Sequence, residues 1–477
     1  MYRATKIVAT LGPASAVPEV LTQMMRAGLD VVRLNFSHGT ASEHHATATL
    51  VRDCAKAVGR EVAIIGDLQG PKIRIGRFAD DKTTLAPGAA FILDARCEVG
   101  DDTRVGLDYP DLPRDVKAGD VLLLDDGLIV LDVARVQGDE VHTVVRVGGE
   151  LSSHKGVNRQ GGGLCAPALT SKDREDIHTA ISLGVDFIAV SFPKCAADMQ
   201  LARELVNAAG APYGLRPKLI AKIERAEAIP ELQAILDVSD GIMVARGDLA
   251  VEVGNAAVPA LQKRMIQMAR KSNRFVITAT QMMESMIHAP VPTRAEVSDV
   301  ANAVLDGTDA VMLSAESAIG QYPVQTVAAM ASICVEAEKF DPPALDRDFR
   351  HDTFTRIDQS VAMGALFTAF HLGAKAIISL TESGSTALWM SRHWVQLPIL
   401  ALTSQVASER AMTLYRNVIP LHLDQDNDRE TAWRQAIDLV VQRNLAAQGD
   451  IVVLTAGRMG QPGGTNALKI VRIGEGA

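Results

Sequence analysis

The sequence predicts an α/β protein: an eight-stranded (β/α)8 barrel of the TIM type, a small β-barrel lid domain inserted into it, and a C-terminal open α/β domain. Three observations carry this prediction. Short apolar runs alternate with helical stretches along most of the chain, the spacing breaks once, and the pattern changes again near residue 341.

The runs expected to form barrel strands are Lys6–Thr10, Val31–Phe36, Val62–Asp67, Phe187–Phe192, Leu219–Glu224, Ile242–Asp248, Phe275–Gln281 and Val311–Glu316. Helical periodicity fills the gaps, as in Pro18–Ala27 and Ala256–Ser272. Between Asp67 and Asp186 there is far more chain than one helix can use. Short alternating segments (Val121–Leu124, Leu128–Val133, Val141–Val147) occur there, separated by turn signals at Asp126-Gly127, Gly138-Asp139 and Gly148-Gly149. They predict an inserted antiparallel β domain, with Gly70-Pro71 and Gly161–Pro167 as its hinges. After Asp341-Pro342-Pro343, strands at Ala376–Leu380, Ile399–Leu402, Val418–Leu423 and Ile451–Thr455 predict the open α/β domain. The expected division is therefore a barrel over 1–70 and 168–340, a lid over 71–167 and a C-terminal domain over 341–477.

Composition excludes several classes of function. The 477 residues are 47% apolar and 22% charged, the balance of a globular protein with ample core. A net charge of −9 argues against a general nucleic-acid-binding surface, so local basic groups must carry any phosphate recognition. No run approaches the ~20 apolar residues of a membrane helix. Met1 to Thr5 lead into Lys6–Thr10 without a signal-peptide stretch, which gives a cytoplasmic expectation. The five cysteines form no C-x-x-C pair and the eleven histidines no H-E-x-x-H spacing, so neither a zinc site nor a disulfide frame is expected.

In such a barrel the functional groups sit at the C-terminal ends of the strands. Here those ends are polar on many strands. Arg33, Asn35 and Ser37 recur at every second residue and would share one face of an extended chain; Lys222 with Glu224, and Arg246 with Asp248, form pairs of the same kind. Asp67, Thr280, Gln281 and Ser314 end other strands. Glu224 and Asp248 suit a hard divalent cation, of which Mg²⁺ fits best, since it takes one or two carboxylates plus substrate oxygens. Lys222, Arg33, Arg74 and Arg246 supply positive charge with no thiol, serine triad or catalytic histidine evident. That mixture fits phosphoryl transfer, where catalysis is chiefly positioning and stabilisation of spread negative charge. Taken alone, Lys222-x-Glu224 reads equally well as a structural ion pair. No Walker A motif or kinase-type glycine-rich loop points to a generic nucleotide kinase.

At these residues the chain resembles the pyruvate kinase family over nearly its whole length. The matching segments include Lys6–Ser15, Val32–Gly39, Gly66–Arg74, Lys155–Asn158, Ala221–Glu224, Met243–Leu249, Ala279–Met286, Pro292–Glu296 and Val300–Val304. The resemblance implies transfer of the phosphoryl group of phosphoenolpyruvate to ADP, giving pyruvate and ATP. It implies that Arg33 and Gly247 hold phosphoenolpyruvate, that Glu224 and Asp248 ligate Mg²⁺ (or Mn²⁺), that Lys222 stabilises the migrating group, and that Thr280 contacts substrate near the carbon that gains a proton. Asn35, His38, Arg74 and Lys155 are implied to face the nucleotide phosphates. A K⁺ site is implied at Asn35, Ser37, Asp67 and the carbonyl of Leu68. Lys72 stands where many members carry glutamate, the pattern associated with K⁺ independence, so a K⁺ requirement is not expected. In Leu380–Thr386, hydroxyls beside a helix start (Thr381, Ser383, Ser385, Thr386) resemble the family's cradle for a phosphorylated effector, with Gly457–Asn466 as its covering loop; an ordinary helix cap is the alternative for that loop. A homotetramer is the family expectation. Two rival functions stand beside this one: another Mg²⁺-dependent phosphoenolpyruvate or pyruvate barrel enzyme, and a metabolite sensor that has lost the reaction.

Overall fold

The computed structural model describes residues 2–340, 354–393, 395, 397–424, 428–457 and 464–475. Eight parallel strands close into a barrel: β1 (Lys6–Thr10), β2 (Val31–Asn35), β3 (Ala63–Asp67), β4 (Phe187–Val190), β5 (Lys218–Ile223), β6 (Gly241–Ala245), β7 (Phe275–Ala279) and β8 (Ala310–Leu313). Each pairs with its sequence neighbours, and β8 closes on β1 with Lys6 beside Ala310. Their near-continuous apolar character follows from burial on both faces, the barrel interior on one and the surrounding helices on the other.

Between β3 and β4 the chain forms antiparallel strands, among them Val121–Leu124, Ile129–Gln137 and Glu140–Val147, around a separate apolar cluster that includes Phe91, Leu122, Leu131 and Val141. Asp126-Gly127 and Gly138-Asp139 make the expected turns. Gly148-Gly149 does not: Gly149 opens the strand Gly149–Ser152, which pairs with Lys82–Leu85. Gly70 has φ 67°, and a Cβ there would meet the Ser191 Cβ at 2.6 Å, so only glycine fits where the chain leaves the barrel.

The C-terminal domain is a five-stranded sheet of β9 (Ala376–Leu380), β10 (Ile399–Thr403), β11 (Val418–His422), β12 (Ile451–Gly457) and β13 (Thr465–Arg472). Its last strand, antiparallel to β12, is absent from the sequence expectation because Lys469 splits the apolar residues of Thr465–Arg472 into two short pairs, Ala467-Leu468 and Ile470-Val471, with no continuous apolar run. Asp341-Pro342-Pro343 lies outside the described residues. So does the middle of Gly457–Asn466, residues 458–463. No helix among the described residues is long and apolar enough to cross a membrane.

The N-terminal ends of the barrel strands carry a fourfold motif. Asp30, Asp186, Asp240 and Asp309 immediately precede β2, β4, β6 and β8. The Oδ2 of each accepts the N–H of the second residue of the preceding strand: Ile7 at 2.9 Å, Ile64 at 2.8 Å, Leu219 at 2.8 Å and Val276 at 2.9 Å. Each carboxylate is also met by an arginine, respectively Arg3, Arg52, Arg203 and Arg392. Each of those arginines donates a second time to the carbonyl just before the same odd-numbered strand: Thr5, Val62, Pro217 and Arg274. The barrel is thus stapled at its base as four strand pairs, β1–β2, β3–β4, β5–β6 and β7–β8.

Candidate active site

The opposite rim gathers the polar strand ends. Asp67, fully buried at the end of β3, receives Arg33 Nε on Oδ2 at 2.5 Å and faces Lys222 Nζ across 3.2 Å on Oδ1. Lys222 also reaches Glu224 Oε1 at 2.9 Å and donates to Ser191 Oγ at 2.7 Å. Arg33 donates to Thr10 Oγ1 at 3.0 Å, and the Phe192 N–H donates to Glu224 Oε2 at 2.8 Å. The pair Lys222–Glu224 is therefore an ion pair, but one embedded in a chain of charges that runs from Arg33 through Asp67.

Electrostatics keeps these groups charged against burial. Desolvation opposes ionisation of Asp67, yet the Arg33 and Lys222 cations hold its carboxyl below the usual range. Lys222 is raised in the same way: burial opposes its charge, and Asp67 and Glu224 outweigh burial. Glu224 behaves differently. Burial raises its pKa, and the Asp248 charge pushes further in that direction while Lys222 opposes. A buried carboxyl raised in part by a neighbouring carboxylate fits a hard divalent cation, which relieves the repulsion. Among the described residues no cluster of three or more histidines, cysteines or acids forms a complete metal cage. The protein therefore offers two carboxylates, and substrate oxygens and water would complete a magnesium-like shell.

Several predicted strands end earlier than expected, most consequentially β6. β6 ends at Ala245, and Arg246–Val253 is helical, so Arg246 and Asp248 do not share a face of an extended chain. Arg246 turns inward instead. It donates to the carbonyls of Ala279 at 3.1 Å and Thr280 at 2.6 Å, and pairs with Asp299 at 2.7 Å. Thr280 and Gln281 lie beyond β7 with φ of 67° and 52°, the left-handed region that a β-branched residue occupies only under constraint. The Gly247 N–H donates to Thr280 Oγ1 at 2.9 Å. A Cβ at Gly247 would have nothing nearer than 3.7 Å, so the fold itself does not require glycine and the space stays open to a ligand. Likewise β8 ends at Leu313, with Ser314 past it and Glu316 in the short helix Ala315–Ala318.

Lys72 reaches Asp248 Oδ1 at 3.0 Å and Asp126 at 3.8 Å; no contact with Asp67 accompanies these, so its charge is delivered to the helix after β6. Burial opposes its ionisation, and Asp248 and Asp126 raise its pKa regardless. Around the K⁺ set, Asn35 Oδ1 accepts the Ser37 N–H at 3.2 Å and the Leu68 carbonyl accepts Ser191 Oγ at 2.7 Å. Arg74 and Lys155 lie on adjoining lid segments: Arg74 donates to the His154 carbonyl at 3.0 Å, and Lys155 pairs with Asp125 at 2.8 Å. His38 is exposed on the loop after β2. In the C-terminal loop, Thr381 Oγ1 accepts the Gly384 N–H at 3.0 Å, Ser383 Oγ lies 3.2 Å from Ser385 Oγ, and Thr386 Oγ1 lies 2.7 Å from Thr465 Oγ1. The following helix, Ser385–Ser391, carries no side-chain cap.

Sequence reasoning missed Ser191, the hydroxyl that bridges Lys222 and the Leu68 carbonyl. The signal was present, since Ser191 follows the apolar run of β4 as Asp67 ends that of β3.

An enclosed set of cations and two carboxylates on the C-terminal rim of a (β/α)8 barrel, beneath an inserted β domain, defines a phosphotransferase site. The family model for the pyruvate kinase barrel domain matches residues 2–327, and that for the pyruvate kinase alpha/beta domain matches residues 359–471. The chain is 50% identical over 478 residues to pyruvate kinase II of Salmonella typhimurium, covering 99% of each. It is also 50% identical over 464 residues to the Haemophilus influenzae pyruvate kinase, covering 96% of each. A crystal structure of a pyruvate kinase from Cryptosporidium parvum superposes with a TM-score of 0.93 at 33% identity, over 98% of this chain and 96% of that one. The chain belongs to the pyruvate kinase family.

Proposed function

We propose that the chain transfers the phosphoryl group of phosphoenolpyruvate to ADP, with the residues of the β1–β8 rim acting in distinct roles. The observation that carries this is the run Arg33–Asp67–Lys222–Glu224, buried from Asp67 onward, with Gly247 and Asp248 just past β6 and Thr280 just past β7. In the reaction the bond from phosphorus to the enol oxygen breaks, a bond to an ADP phosphate oxygen forms, and the three-carbon product takes a proton at its methylene carbon.

Arg33 and Gly247 bind phosphoenolpyruvate. Lys222 is fixed between Asp67, Glu224 and Ser191, so its ammonium is preorganised for the charge that spreads in transfer and needs no reorganisation at that moment. Glu224 and Asp248 hold Mg²⁺, with Mn²⁺ an acceptable substitute. When bound, the ion supplies charge neutralisation and alignment of the phosphoryl oxygens. Thr280 contacts substrate on the side of the carbon that is protonated. Asn35, His38, Arg74 and Lys155 receive the nucleotide phosphates, the last two from the lid. The working units are the barrel over 1–70 and 168–340, the lid over 71–167 and a regulatory domain over 341–477. Thr381, Ser383, Ser385 and Thr386 bind a phosphorylated effector, and the enzyme works as a cytoplasmic homotetramer.

The monovalent site formed by Asn35, Ser37, Asp67 and the Leu68 carbonyl needs no K⁺, because Lys72 supplies a tethered cation. Its ammonium lies on Asp248, beside the metal site, which supports a role in offsetting acidic charge under the lid. A coupled assay of ADP-dependent pyruvate formation tests the function and this detail together. Run at constant ionic strength with Na⁺ replacing K⁺ and NH₄⁺, it should give near-full activity, and Lys72→Glu should create a K⁺ requirement. No pyruvate from phosphoenolpyruvate and ADP would sink the function; strong K⁺ activation of the parent would sink only the role of Lys72.

A further inference from the structure

Three of the four basal clamps are internal to the barrel, and the fourth is not. Arg3 belongs to the N-terminal segment entering β1, Arg52 to the helix Ala41–Val58 and Arg203 to the helix Ala196–Gly210. Arg392 comes from the C-terminal domain, directly after the helix Ser385–Ser391. It is 6% exposed, Asp309 is 0% exposed, and its guanidinium forks onto both oxygens of that carboxylate, with Nη1 to Oδ2 at 2.7 Å. Nη1 also donates to the Arg274 carbonyl at 2.8 Å. The barrel helix in the corresponding place, Val258–Lys271, does offer an arginine, but Arg270 donates to the carbonyl of Arg392.

The strand pair held from outside is also the one with the shortest ladder. β7 and β8 register over two residue pairs, Ile277 with Ala310 and Thr278 with Val311, whereas β5 and β6 register over four. The Thr308 hydroxyl adds a bond to the Val276 carbonyl at 3.1 Å. That hydroxyl also accepts from the Thr278 hydroxyl at 3.0 Å, and the Asp309 N–H donates to the Val276 carbonyl at 3.0 Å. Asp309 in turn accepts the Arg416 N–H from the C-terminal domain at 2.9 Å. On its other side β7 registers with β6 over five residue pairs, so the β8 side is the weakly paired one. An extended strand of five residues is stiff along its axis and spans roughly 16 Å, so a shift at its root reaches its tip. At that tip stands Thr280 in its strained left-handed conformation. Its hydroxyl accepts the Gly247 N–H and its carbonyl accepts Arg246 Nη2, both from just past β6, so the tip is tied on that side and depends on the clamp on the β8 side.

We infer that Arg392 is a positioning residue for Thr280: by completing the fourth clamp, the C-terminal domain holds β7 against β8 and so governs protonation at carbon more than phosphoryl transfer. This rests on the role of Thr280 proposed above.

The test uses the full-length protein with Mg²⁺, ATP and pyruvate in D₂O. NMR follows replacement of the pyruvate methyl C–H by C–D, a step that exchanges a proton with solvent and leaves every other bond unchanged. Arg392→Lys keeps the charge and loses the fork. It should slow exchange by about tenfold and speed hydrogen exchange at the Val276 amide, with KM for phosphoenolpyruvate within about twofold. Arg203→Lys, the same change at the root of β5, should leave pyruvate exchange within about twofold. Asp309→Asn serves as a second lesion of the clamp should Arg392→Lys fold poorly. A loosened Val276 amide with parental pyruvate exchange overturns the inference, as does equal slowing by Arg203→Lys. Thr280→Ala separates the two claims: if it slows exchange and Arg392→Lys does not, only the inference fails, whereas normal exchange in Thr280→Ala overturns the role of Thr280 and the inference with it.

Discussion

The two ends of the barrel use the same residue types for opposite ends. At the base, four aspartates each meet an arginine and a backbone N–H, and none leaves a fully buried oxygen without a hydrogen bond. At the rim, Asp67 Oδ1 is fully buried with Lys222 3.2 Å away yet no hydrogen bond of good geometry, and Glu224 is pushed up by burial and by Asp248. The base is closed on itself. The rim is short of counter-charges that a metal ion and substrate would bring. Charge satisfied within the chain stabilises; charge left incomplete in a preorganised cluster is available to a ligand.

The largest break in this comparison should come from Lys222→Met. Removing an ammonium aimed at developing charge should lower kcat by about three orders of magnitude while KM changes little. The melting temperature should stay near that of the parent, because the methionine leaves two acids to repel but also relieves an enclosed charge. Steady-state kinetics and thermal unfolding on one preparation check both halves, and near-normal kcat would remove Lys222 from the mechanism.

Asp240→Asn at the base should do the reverse. The Arg203 and Lys218 cations hold the Asp240 carboxyl low against burial, so neutralising it leaves Arg203 with a weakened partner. A loss of about 2 kcal/mol is expected, read as a lower denaturant midpoint, with kcat of the folded protein within about twofold. A large fall in kcat without loss of stability would mean that the base is part of the catalytic apparatus.

How much of this contrast was legible in the sequence depends on the range of the interaction. The rim was largely legible, because every strand contributes a polar residue within a few positions of its own end, and topology then brings those ends together. Asp67, Lys222, Glu224 and Thr280 needed only the alternation of strand and helix. The strand at Ile242–Asp248 was read too long, since nothing local distinguishes Arg246-Gly247-Asp248 as a helix start; the helix opens there without a side-chain cap. The reach of Lys72 to Asp248 depends on how the lid sits, which no local pattern encodes. The base shows the same limit more sharply. Four aspartates before alternate strands are visible in the sequence, but residues 3, 52, 203 and 392 share no spacing, and their common task appears only in three dimensions.

The smallest expected readout, a few degrees of melting temperature, concerns a rim acid that neither closes like the base nor belongs to the charge chain. Glu252 is buried near the return of the lid to the barrel: its carbonyl accepts the Gly161 N–H at 3.0 Å and its Oε2 the Ala226 N–H at 2.8 Å. Burial pushes its pKa to about 7, with the Ala226 N–H opposing and Glu227 adding to the rise. Arg225 stands near but donates to the Leu164 carbonyl at 2.8 Å. A carboxyl raised in the folded state is protonated there while the unfolded chain has already released its proton. Stability therefore falls as pH climbs from the ordinary glutamate value to about 7, and the full cost, at most about 3 kcal/mol, persists above that. Glu252→Gln keeps an oxygen for the Ala226 N–H and removes the ionisation. Its melting temperature should exceed the parent's by a few degrees at pH 8 and match it near pH 5. Parallel melting curves across that range would show that Glu252 ionises in the folded protein as it does in the unfolded chain, and that this corner of the rim is as well compensated as the base.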